Sequence, residues 1–176
     1  MKTVTIFCSS YNEIDSLHFL DAEEIIKILI AHGCKIIFGG GANGLMGRIA
    51  DIAVALNGNI EGIRHEELMK NPDEPFHSKV KIREGVKGIE QRKSIMYDEA
   101  DILLILPGGA GTLEELYYSI TCNRLNGYAK PILIFNKRGL YNSLLDLTQK
   151  LIKHGFQKKD YCVAISEAKE IVKYIE

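Results

Sequence analysis

The sequence carries no excess charge: 22 basic and 23 acidic side chains leave a formal net charge of −1. Such balance supplies no overall field to gather nucleic acid or an anionic membrane. Neither is expected as a partner, and any bound anion must be held locally. No apolar run approaches the length that crosses a bilayer. In the opening stretch MKTVTIFCSS the apolar part is too short for a signal peptide and reads as a strand. The four cysteines (Cys8, Cys34, Cys122, Cys162) form no CxxC pair. Three of them lie in strand-like runs, so reduced, buried thiols in a cytoplasmic protein are expected rather than disulfides or zinc. The five histidines (18, 32, 65, 77, 154) show no metal-ligand spacing. No repeat, low-complexity segment or linker divides the chain, and residues 1–176 suit one domain with a substantial core.

What is present is a regular alternation of short apolar runs and amphipathic segments. Strands are expected at 3–8, 34–38, 59–63, 79–83, 102–106, 131–135 and 161–165. They are mostly continuous runs of Ile, Val, Leu and Phe, as parallel strands covered on both faces require. Helices are expected near 15–32, 44–57, 86–98, 112–126, 139–154 and 166–175. Four of them end on His32-Gly33, Asn57-Gly58, Asn126-Gly127 and His154-Gly155, where glycine can take the left-handed conformation that closes a last turn. The expected fold is α/β, a Rossmann-like parallel sheet with helices on both faces. Only Arg64–Ser78 lacks a period, and it reads as a loop or short irregular helix near the site.

Ligands of such sheets bind beyond the carboxyl ends of the strands, and two loops there are rich in glycine. In IIFGGGANGLMG (36–47), Gly39, Gly41 and Gly44 match GxGxxG, with Glu61 placed 20 residues after Gly41. A phosphate at the turn, held near Gly40, Gly41 and Gly44, is one reading; a tight turn with close helix–sheet packing is the other. An NAD enzyme is the less favoured version of the first, since the length leaves no second substrate domain.

In DILLILPGGAGTLEEL (101–116), Pro107 stops a strand, Gly108, Gly109 and Gly111 form a turn, and Thr112 opens a helix. Backbone N–H groups and the Thr112 hydroxyl suit a phosphate. No Gly-Lys-Ser/Thr follows, so a small phosphate ester fits better than a magnesium triphosphate. Thr112 and Glu115 also have the spacing of a capping box, which competes with a catalytic role for Glu115; Glu114 is expected in solvent. Upstream, Arg92 and Lys93 in GIEQRKSIM read as surface charges or as anion ligands. Tyr117 and Tyr118 mark a packing or dimer face.

With PGGAGTLEE at 107–115, RKSIM at 92–96, GGGANGLMG at 39–47, Lys130-Pro131 and Gly139-Leu-Tyr-Asn-Ser143, the chain resembles the Lonely Guy (LOG) family. These are cytokinin-nucleotide phosphoribohydrolases whose members were often labelled lysine decarboxylases. The resemblance covers nearly the whole chain. It implies hydrolysis of a nucleoside 5′-monophosphate, AMP or an N6-substituted AMP, to free base and ribose 5-phosphate, by a homodimer or larger assembly without metal or cofactor. It further implies Arg92 and Glu115 as the catalytic pair. Lys93, Gly108, Gly109, Ala110, Gly111, Thr112 and Thr121 would be substrate contacts.

Two departures stand out: the family's CGSS-like turn is here Cys8-Ser9-Ser10-Tyr11, and Arg64–Ser78 lacks the family's proline and charge pattern. Base preference is expected to depend on that second segment. The competing functions are a nucleotide sensor without turnover and an NAD-binding protein. A pyridoxal-phosphate decarboxylase would need a Schiff-base lysine with a partner for the ring nitrogen, and no such pair is identified.

Overall fold

A computed structural model describes residues 1–126 and 129–176 of the chain. The expected alternation is present: β1 (Thr3–Phe7), α1 (Ser16–Ala31), β2 (Lys35–Phe38), α2 (Gly44–Ala55), β3 (Ile60–Ile63), α3 (Glu66–Met69), β4 (Lys81–Arg83), α4 (Ile89–Asp98), β5 (Ile102–Ile105), α5 (Ala110–Leu125), β6 (Ile132–Phe135), α6 (Asn142–Lys153) and β7 (Cys162–Ile165), then a 3-10 turn (Ala168–Ile171) and α7 (Val172–Ile175). All seven strands form one sheet in the order β4-β3-β2-β1-β5-β6-β7, and every pairing between them is parallel.

Alternate strand residues feed two cores. Val4, Ile6, Ile36 and Leu104 face α1 and α2 with Ile25, Leu29, Leu45 and Ile49. Phe7, Ile37, Leu103 and Ile105 face the opposite layer with Met96, Tyr97 and Leu116. Burial on both sides is why the runs are apolar without a polar alternate. No helix among the described residues is long and apolar enough to cross a membrane.

The helix ends follow local chemistry, with corrections. Gly33 and Gly155 take positive φ of 66° and 78°, as helix-closing glycines do. At Asn57-Gly58 the left-handed residue is Asn57, at φ 53°; Gly58 is needed because a Cβ there would lie 2.7 Å from the Ile30 side chain. The expected cap at Gly127 lies outside the described residues. The 64–78 segment holds the single short helix α3.

Sequence order reverses between β1 and β5, so a crevice opens where the loops after these two strands part. Leu104, fully buried in the central pair, tests this core: Leu104→Ala is expected to lower unfolding free energy by about 2–5 kcal/mol in a urea titration. A loss under about 1 kcal/mol would contradict the packing described.

Candidate active site

The turn after β5 leaves a helix end open. α5 begins at Ala110 with Gly109 as N-cap, and no side chain caps it. Its first-turn N–H groups therefore have no intrahelical partner and carry the positive end of the helix dipole. A Cβ at Gly109 or at Gly111 would meet nothing within 4 Å, so packing does not demand glycine at either position. Gly108 differs, because a Cβ there would sit 2.1 Å from Thr112 Oγ1. Thr112 is buried beneath the turn.

α4 supplies the cation. Arg92 Nε donates to the carbonyl of Ile63 at 2.9 Å, and Nη1 donates to Glu115 Oε1 at 2.9 Å. Both side chains are mostly buried, at 12% and 13% exposed. Burial pushes the Glu115 carboxyl above the ordinary carboxylate range, while the charge and hydrogen bond of Arg92 pull the other way. The capping box is not formed: Thr112 lies inside the helix, and the carboxylate of Glu115 turns to Arg92 instead.

A cleft of about 400 Å3 joins these parts, lined by Gly109–Thr112, Arg92 and Glu115 together with Cys8–Tyr11, Met46, His65, Leu68, Glu74 and Ile89. Most of the second group drew no site assignment from sequence. Their shared signal is topological, since Cys8–Tyr11, Met46, His65 and Leu68 all follow the carboxyl ends of β1, β2 or β3. Cys8 is buried beside Glu115. Desolvation, then the carboxylate, push its thiol pKa far up, so it stays protonated. Among the described residues no group of His, Cys, Asp and Glu could hold a metal.

Several expected contacts do not line this cleft. Lys93 is buried but does not line the cleft; its Nζ meets Glu114 at 2.7 Å and Glu90 at 2.9 Å, bolting α4 to α5. Glu114 is in solvent as expected, 51% exposed, and pairs with Lys93 from there. Thr121 is exposed on α5 beyond Glu115 and does not line the cleft of its own chain. Tyr118 packs edge-on against Tyr97, while Tyr117 is exposed.

Gly40, Gly41 and Gly44 are buried and also lie outside the cleft lining. The packing explanation accounts for this first loop. A Cβ at Gly40 would meet the Arg64 side chain at 2.8 Å, at Gly44 the Ser10 backbone at 2.6 Å, and at Gly47 the Ala42 carbonyl at 2.1 Å. The Gly44 N–H is already taken by Asn12 Oδ1 at 2.8 Å. Gly39 makes room for the site itself, because a Cβ there would lie 2.7 Å from Arg92 Nη2. Glu61, the acid of the supposed dinucleotide fingerprint, is spent on Arg83 at 3.1 and 2.6 Å and on Lys35 at 2.9 Å. Those bonds, Arg83 foremost, hold its carboxyl down at about 2 against the effect of burial.

With this geometry in view, comparison with known proteins is decisive at family level. The family described as "Possible lysine decarboxylase" matches residues 46–175. Cytokinin riboside 5′-monophosphate phosphoribohydrolase LOG1 of Arabidopsis thaliana is 34% identical, covering 99% of this chain and 83% of its own. The LOG3 protein of the same plant is 33% identical over 99% and 82%. The chain belongs to the LOG family. Among solved structures, the molybdenum cofactor binding protein of Rippkaea orientalis superposes with a TM-score of 0.72 at 17% identity, covering 99% of this chain and 94% of that one. DNA processing protein A of Streptococcus pneumoniae gives 0.61 at 11%, over 100% and 62%. At such identities these two likenesses concern the fold.

The two glycine loops predict opposite mutational behaviour. Gly47→Ala is expected to cost about 1–3 kcal/mol through overpacking against backbone. Gly111→Ala is expected to raise stability by up to about 1 kcal/mol while weakening anion binding. Denaturation midpoints together with titration of inorganic phosphate check both; a neutral Gly47→Ala would refute the packing account.

Proposed function

We propose that this LOG-family chain hydrolyses the N-glycosidic bond of a nucleoside 5′-monophosphate, releasing free base and ribose 5-phosphate. The observation that carries the reading is the buried Arg92–Glu115 pair set beside the uncapped start of α5. The full-length likeness to enzymes named phosphoribohydrolases supports it. The phosphate binds the N–H groups at Gly109–Thr112, where helix dipole and backbone donors favour an anion. On this reading the sugar lies over Glu115.

In the reaction water adds to the anomeric carbon as its bond to the base nitrogen breaks, and the proton released ends on the departing base. Positive charge builds on the ribose ring on the way. Glu115 accepts from ribose hydroxyls and opposes that charge. Arg92 stays protonated, so it positions the carboxylate and the substrate rather than delivering a proton. A unit charge about 4 Å from the carboxylate gains about 4 kcal/mol at an effective dielectric of about 20, roughly a thousandfold in rate. AMP and N6-substituted AMP are the proposed substrates.

The exposed ridge of α5, with Tyr117 and Leu125 41% and 67% exposed and Thr121 between them, supports a homodimer packed through this helix. The four free cysteines support a reducing, cytoplasmic setting.

Free-base release from AMP and N6-isopentenyl-AMP, followed chromatographically, tests the chemistry. Glu115→Gln should lose roughly a thousandfold in kcat; full activity in this variant would end the assigned role. The carboxylate is the working form, and its pKa is raised. The wild-type rate should therefore fall with acid at a midpoint above the ordinary glutamate value of about 4.3. A midpoint at or below that value would show that burial does not govern Glu115.

A further inference from the structure

We infer that His65 reads the base, donating a hydrogen bond from Nε2 to an unprotonated ring nitrogen of a purine. This rests on the hydrolase reading for the orientation of the nucleotide. The cleft runs from the turn after β5, past the loops after β1 and β2, to His65 and Leu68 after β3. Three interstrand steps of about 4.8 Å make that about 14 Å. With phosphate at the β5 end and sugar at Glu115 and Arg92, the base falls at the β3 end. Met46, Leu68 and Ile89 offer apolar surface to a flat ring there, and His65 carries a polar edge.

The protonation of that edge follows from the neighbouring backbone. His65 is the N-cap of α3, and its Nδ1 accepts from the Leu68 N–H at 3.4 Å. In the neutral ring the nitrogen that accepts is the bare one, so Nε2 bears the hydrogen. Among the described residues no acceptor meets Nε2. Capping alone does not call for imidazole, because Asn, Asp or Ser does it better, and 3.4 Å is a long bond. The extra reach of the ring is what distinguishes histidine here.

The segment is also held still, as a recognition group requires. Arg64 is 2% exposed, and its Nη2 donates to the carbonyls of both Leu68 and Glu74. The Ala42 N–H donates to Pro75 O at 2.9 Å and the His77 N–H to Gly40 O at 3.0 Å, while His77 Nε2 meets Asp51 at 3.1 Å. The first glycine loop thus serves as the dock for the segment that carries His65.

The test compares wild type with His65→Asn, which keeps a capping oxygen but lacks the reach. For each protein, kcat/KM is measured on AMP and on its 1-deaza, 3-deaza and 7-deaza analogues. The ratio of AMP to one analogue should fall by about fivefold or more in the variant, as expected when a hydrogen bond of about 1 kcal/mol is lost, with the thermal midpoint retained. All three ratios unchanged within about twofold would overturn the inference. If wild type releases base from none of the four, the hydrolase reading fails on its own account. Calorimetric Kd values for the same ligands then decide: a variant-sensitive ratio supports the base contact, and equal ratios or no binding reject it.

Discussion

The ion pair between Arg92 and Glu115 ties together three elements that lie far apart in the chain. It joins α4 to α5 across 23 residues, and the same guanidinium holds the end of β3 through Ile63 O. Two mostly buried charges are costly unless paired and hydrogen-bonded, which constrains everything around them. Gly39 lacks a side chain where Nη2 passes, and Lys93, one residue along, uses Glu114 to lock the same two helices. The arrangement also keeps a carboxyl of raised proton affinity beside a helix end that attracts anions. A carboxylate next to a phosphate would otherwise be repelled, and Arg92 balances it.

Two glycine-rich loops of similar composition do different work, and the difference lies in what surrounds the missing side chains. Around Gly40, Gly44 and Gly47 the space is filled by protein, so glycine there permits close approach of backbone and side chains. Around Gly109 and Gly111 a Cβ would meet nothing within 4 Å, so packing within the chain does not require glycine there. The first loop docks the 64–77 segment; the second presents bare N–H groups.

The fold itself is shared with proteins named for molybdenum cofactor and for DNA processing, at identities where only architecture is common. A doubly covered parallel sheet offers the same crevice to many chemistries. In this chain the crevice holds Arg92, Glu115 and His65.

Much of this was legible in the residues alone. Seven apolar runs and the helices between them settle a covered parallel sheet, because burial on both faces demands continuous hydrophobic strands; the turn at Pro107–Thr112 and the spacing of Arg92 and Glu115 were likewise readable as a candidate site. Several outcomes were not. A glutamate three residues after a threonine can close a capping box or pair with a cation from far along the chain, so Glu115 had two readings until α4 was packed against it. Lys93 sits next to Arg92 in sequence, yet a helix turns neighbours about 100° apart, and only one of the two reaches the cleft. The placing of Gly40, Arg64 and His65 depended on a segment without periodicity, whose position is set by long-range hydrogen bonds. Local pattern determined the elements and their order; three-dimensional packing decided which charges meet, because desolvation and pairing act between residues that the chain keeps far apart.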